Sequence, residues 1–276
     1  MTLEYQLCFK CHSSYTTLRT ATAGPSTQAL DTALEFNPRN ASYHPVEAAG
    51  ANGSDRMNTS LARPSAYRLW ALTVNDTVRC TQCHGDPADN PSPVATGIPA
   101  TTGDVRLGLH ASPYRGILRS YYRDRTLNVG TEPYLITDYS LCFLCHSEDP
   151  FGTGSTDAGE NSDPTHPNRA TNFRYHSKHM NDIAGEGSSI EPGIDVPGAG
   201  QGNAICAECH FRLHSTATKV GEQGVYVGGV TFAPNVTGLT ATSWQRGPVD
   251  PGTGAYTGNC TLTCHGETHT PESSKY

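Results

Sequence analysis

All ten cysteines of the chain fall into five Cys-Cys-His clusters, and nothing else in the sequence constrains the fold as tightly. Four clusters read Cys-x-x-Cys-His: Cys8-Phe-Lys-Cys11-His12, Cys80-Thr-Gln-Cys83-His84, Cys142-Phe-Leu-Cys145-His146 and Cys206-Ala-Glu-Cys209-His210. The fifth, Cys260-Thr-Leu-Thr-Cys264-His265, has one extra residue between its cysteines. Two thiols at this spacing form thioethers to the vinyl groups along one porphyrin edge, and the adjacent histidine swings under the ring to ligate iron. A zinc ribbon would pair two Cys-x-x-Cys units per metal, yet here each unit stands far from the next and carries its own histidine. A thioredoxin-like site needs one such unit within a βαβ pattern, which is absent. A disulfide framework has no reason to place histidine after every second cysteine. The chain is therefore read as carrying five covalent c-type haems, with His12, His84, His146, His210 and His265 as proximal iron ligands.

Such a chain has little else to fold around. Leu, Ile, Val and Phe together number 45 of 276 residues, roughly 16% and below the ~20% at which a chain struggles to bury a core. A net charge of −7 is too modest to explain that weakness by self-repulsion. Five porphyrin faces would supply the missing apolar surface. The expected fold is mostly irregular coil with short helices and little strand, wrapped around closely packed haems. Each Cys-His pair is expected on a short helix. Residues 65–73 and 114–127 could add helical turns, and 225–232 a small hairpin.

An internal repeat organises the chain. Tyr5-Gln-Leu-Cys-Phe-Lys-Cys-His-Ser13 and Tyr139-Ser-Leu-Cys-Phe-Leu-Cys-His-Ser147 share one pattern, and downstream Pro38–His44 lines up with Pro167–His176. The expected organisation is a two-haem unit, residues 1–138, followed by a three-haem unit, residues 139–276, forming one continuous structure.

Seven histidines remain for the second axial positions: His44, His110, His166, His176, His179, His214 and His269. With only three methionines in competition, the surplus predicts two histidines on every iron, which gives lower potentials than Met/His ligation. His44 and His176 come first because the repeat aligns them. His179, three residues beyond His176, shares its face if that segment is helical, and His110 and His214 complete the expected distal set. His214 and His269 each follow a proximal histidine by four residues. On a helix both would project from one side, so neither could complete its own haem. His269 is the reserve candidate, and His166, without a counterpart in the first unit, is the expected bystander.

Saturated irons leave no position for substrate, so the expected role is electron transfer and not enzymatic catalysis. Haem propionates would add to the negative charge, which disfavours nucleic acid as a partner. No segment is long and apolar enough for a transmembrane helix. No leader is visible either, although haem attachment of this kind implies export.

The Y-x-L-C-F-x-C-H-S openings, Asn40–Val46, Thr171–His179 and Cys206–His214 resemble the outer-surface multihaem cytochromes of metal-respiring and related prokaryotes. Some members of that group polymerise into extracellular filaments, or nanowires. The resemblance implies an extracellular or cell-surface location, with the periplasm as the alternative. It implies identical subunits as partners, with one histidine donated between them, and other redox proteins or extracellular metal acceptors beyond. A soluble periplasmic or outer-surface carrier is the alternative, and a multihaem reductase a more distant one.

Overall fold

The computed structural model describes residues 3–14, 31–62, 70–86, 110–120, 122, 139–147, 173, 176, 179, 204–217, 227–240, 243–249, 251, 256–264 and 267–271. Their helices are short: α1 Glu4–Cys8, α2 Thr32–Glu35, α3 Asp55–Ala62, α4 Cys80–Cys83, α5 Ser140–Phe143 and α6 Cys206–Cys209. Two antiparallel hairpins follow, β1 Trp244–Val249 with β2 Tyr256–Cys260, and β3 Leu262–Cys264 with β4 Glu267–His269.

Isolated helices this short are unstable in water, so each is fixed by its ends and neighbours. The side chain of Gln6, Gln82 or Glu208 turns back to accept the backbone N–H of Leu3, Arg79 or Ile205, satisfying an otherwise orphaned donor at the first turn. In α4 and α6 the residue that does this is the one directly before the second cysteine. Glu4 of α1 then accepts from the Thr81 N–H at 2.9 Å and its hydroxyl at 3.0 Å, tying the first motif helix to the second.

Side-chain packing among the described residues forms two small clusters. Tyr139 and Phe143 meet Ile205 and Ala207, while Leu141 and Leu144 meet Trp70, Leu118 and Leu213. Tyr122 touches both clusters, and its hydroxyl donates to the His210 carbonyl at 2.8 Å. The two halves of the chain interlock. Tyr43 bridges Ser215, the His44 N–H donates to the His214 carbonyl at 3.0 Å, and Arg246 donates to Asn52 at 3.2 Å.

Several local expectations are corrected. The two cysteines of the fifth cluster lie on strands, not on a helix: Cys260 ends β2 and Cys264 ends β3. Of the 114–127 run the described residues give a 3-10 turn, Arg115–Ile117, where Gly116 takes φ +71°, a left-handed conformation that ends helical geometry, while 121 and 123–127, like 65–69, lie outside the described residues. Residues 70–73 are not helical. At 227–232 a turn at Gly228–Gly229 stands in place of a hairpin, both glycines having positive φ. No helix among the described residues is long and apolar enough to cross a membrane.

Candidate functional site

The motif helices put the cysteines and histidine of each regular cluster on one turn. In α4 and α6 the cysteines are the first and last helical residues, and His84 and His210 are the C-caps that swing out of the helix. The His84 and His210 N–H groups still donate to the carbonyls of Cys80 and Cys206 at 2.8 Å, as that of His146 does to Cys142 at 2.9 Å.

Across from these histidines stand others. His12 and His110 lie with ring centroids 6.3 Å apart and planes 19° from parallel. His84 faces His214 at 6.0 Å, His210 faces His176 at 6.4 Å, and His179 faces His269 at 6.5 Å. His44 is close enough to His146 to act on its charge. Two imidazoles bound to one metal at about 2.0 Å each would hold their centroids about 6.3 Å apart. Three of the measured pairs therefore combine a histidine of a Cys-x-x-Cys-His cluster with a histidine outside the clusters, at the separation that a shared iron requires. His166 and His265 lie outside the described residues, so the expectations for both rest on sequence.

The repeat placed the distal candidates without pairing them. His44 follows the first cluster but stands near His146 of the third. His176 follows the third but faces His210 of the fourth.

Hydrogen bonds at Nδ1 orient these rings. A histidine that donates from Nδ1 keeps its Nε2 lone pair for a metal. His84 Nδ1 lies 2.9 Å from the Gly116 carbonyl and His210 Nδ1 lies 2.8 Å from the Gly229 carbonyl. Both glycines have φ +71°, so in each case a left-handed turn carries the acceptor. His44 Nδ1 bonds the Leu213 carbonyl, and His214 Nδ1 lies 2.7 Å from the carboxylate of buried Glu35.

Burial holds five of the rings neutral. Burial, with the neighbouring His210, His179 and His146 rings adding to it, pushes His176 down to about 3. Burial, then His44 and His210, pushes His146 down to about 4. Burial also lowers His44, His84 and His210. Neutral imidazole is the form that binds metal.

The cysteines follow one another in space as in sequence. Cys80 is hydrogen-bonded to Cys8, Cys83 lies near Cys142, Cys142 bonds Cys206, and Cys209 lies near Cys260. Cys8, Cys11, Cys80, Cys83, Cys142, Cys206 and Cys209 are not tied up in disulfides. Burial raises Cys83 and Cys260 to about 11, and burial together with Cys8 raises Cys80 to about 12. Burial raises Cys209 as well, and Cys142 is raised first by its bond to Cys206. Burial disfavours a thiolate here, and a thioether, being uncharged, carries no such cost, so covalent haem fits these residues.

The sequence pattern missed Glu35 and the two carbonyl-bearing glycine turns. Their signals are a single acidic residue and two glycines in a chain with 28, too weak to be singled out. No family model, curated protein or solved structure matches this chain.

Proposed function

We propose that the chain is an electron-transfer protein holding five c-type haems in chain order, each iron between two histidines, and that it polymerises into an extracellular filament. The observation that carries the conduit is the recurrence of facing histidines at 6.0–6.5 Å, beside cysteines that run from one cluster to the next. Bound haem would supply reversible one-electron chemistry. The protein's part would be to fix the order of the sites, keep the buried imidazoles of His44, His84, His146, His176 and His210 neutral, and fill the axial positions against substrate.

The filament rests on the resemblance, with one structural feature in its favour. The first site lies at an end of the cysteine series and is open: Cys11, His12 and His110 are exposed, and Leu7 beside Cys8 is 62% exposed. An uncovered terminal site suits electron exchange with another subunit.

Intact-mass measurement on the exported protein tests the cofactor claim. Five covalent haem additions are expected, and fewer than four would overturn the reading. Negative-stain microscopy tests assembly: filaments support polymerisation, whereas monodisperse particles at high concentration assign the chain to the soluble carriers.

A further inference from the structure

Six Asn-x-Ser/Thr sequences run through the chain, at Asn40, Asn52, Asn58, Asn75, Asn235 and Asn259. In an exported protein this is the acceptor pattern for a glycan on the asparagine amide. The pattern recurs by chance in a chain rich in Ser and Thr, so burial and hydrogen bonding have to choose among the six. A glycan needs an exposed amide that the fold does not already use. It also needs a backbone that presents the amide and the hydroxyl two residues on to one enzyme.

Four of the six fail the first requirement. Asn40, 4% exposed, donates from Nδ2 to the carbonyls of Leu34 and Glu35 at 2.9 and 2.7 Å. Asn52 Nδ2 donates to Ser42 Oγ at 2.8 Å, and Asn235 Nδ2 to buried Glu208 at 2.9 Å. Asn259 is half-buried within β2, opposite Gln245. Asn58 is exposed, but its Oδ1 accepts from the Val74 N–H at 3.3 Å. It also lies in α3, and residues two apart on a helix do not face each other.

Asn75 meets both requirements. Asn75, Asp76 and Thr77 are all exposed. Asn75 stands in a turn closed by the Asp76 N–H, which donates to the Thr73 carbonyl at 3.1 Å. The Thr73 N–H and hydroxyl donate in return to the Asp76 carboxylate, each at 2.7 Å. The Asn75 N–H donates to Thr73 Oγ1 at 3.3 Å. The backbone is thus held while the side-chain amide is left over. Among the described residues neither the Asn75 amide nor the Thr77 hydroxyl has a hydrogen-bond partner. Val78 then fixes the segment, its N–H donating to the Pro45 carbonyl at 2.7 Å.

We propose that Asn75 is an N-glycosylation site, whose glycan covers the solvent side of the segment leading into the second cluster. This rests on export, which the haem reading implies. The donor is a lipid-linked oligosaccharide, and the catalyst an oligosaccharyltransferase outside the cytoplasm. Asn75 Nδ2 attacks the anomeric carbon of the sugar. The new C–N bond forms as the bond from that carbon to the lipid phosphate breaks, the phosphate leaves with the electron pair, and Nδ2 gives up one proton. A bulky polar group here keeps this face out of any contact between subunits.

The test uses the protein isolated from the cells that make it, digested with trypsin. Cleavage after Arg68 and Arg79 gives a peptide, residues 69–79, that holds Asn75 and neither a cysteine nor another of the six sequences. Mass spectrometry with electron-transfer fragmentation is expected to find a glycan on Asn75 of that peptide, and none on the peptides with Asn40 and Asn235. Thr77→Ala is expected to remove the glycan with Asn75 still in place, and Thr77→Ser to keep it. Both variants are expected to retain five haems, read from the cysteine-bearing peptides. An unmodified 69–79 peptide from five-haem protein overturns the proposal, as does a glycan that survives Thr77→Ala. If the protein carries no covalent haem, it is the haem reading that fails, and the 69–79 peptide still decides the glycan by itself.

Discussion

The carboxylate of Glu35 sits 2.7 Å from Nδ1 of His214, joining residues 179 positions apart in the sequence. Glu35 is buried at the end of α2, where Asn40 donates to the carbonyls of Leu34 and Glu35 at 2.9 and 2.7 Å and so fixes the turn. The Phe36 ring lies tilted against the same imidazole, with centroids 4.7 Å apart. A carboxylate on Nδ1 increases the basicity of the other nitrogen and favours the more positive state of a metal bound there. On this account a side-chain charge depresses the potential of the second haem, the one His84 and His214 would share.

Glu35→Gln keeps the shape and removes the charge. A spectroelectrochemical titration should show one haem of five shifted upward, on the order of 50 mV, given that about 59 mV is a tenfold change for one electron. An unchanged titration curve would deny Glu35 this role.

The depressed histidines set an acid limit. His176 at about 3 and His146 at about 4 bind fewer protons folded than unfolded. Their contribution to stability is complete above the unfolded value of about 6.5 and is lost as pH falls through the folded values. The low-spin haem spectrum should persist from pH 7 to about 5 and give way to high-spin features between roughly pH 4 and 3. A transition centred near pH 6.5 would show that these rings are not held neutral by the fold.

Gly229 is expected to be intolerant of a side chain. It has φ +71°, and a Cβ there would meet His210 Nδ1 at 3.4 Å. Gly229→Ala should cost about 1–2 kcal/mol from the left-handed backbone alone. Thermal unfolding should show it, together with a perturbed spectrum from one haem. Gly116→Ala has the same backbone cost with a looser contact, 3.7 Å to Leu118. It is expected to lower the melting temperature while perturbing the spectrum less.

Phe143 tests the packing. It is fully buried against Tyr139, Ile205 and Ala207, between the third and fourth sites. Phe143→Ala should destabilise by about 3–5 kcal/mol, read from chemical denaturation of the five-haem protein.

What the sequence made legible was the grouping of each histidine with two cysteines, because those residues lie within five or six positions of one another. Counting singled out His110, His214 and His176, which face cluster histidines in the structure. Their partners were not legible, since each pairing is a long-range contact: His12 to His110, His84 to His214, and His44 to the third cluster. The repeat aligned His44 with His176, but equal spacing along the chain does not pair a histidine with the cluster before it. At the fifth cluster the helical argument about His269 loses its premise, because a four-residue interval means one face only on a helix and His269 lies on a strand. Gly116 and Gly229 hid for a related reason, as their role is the direction of a carbonyl and not a side chain.

The central claim is that five irons are each held by two histidines. Near-infrared magnetic circular dichroism of the oxidised protein reads the axial ligands of every haem at once. The account predicts intensity for five low-spin bis-histidine irons and none for high-spin or Met/His centres. A high-spin signal amounting to one haem or more would contradict it.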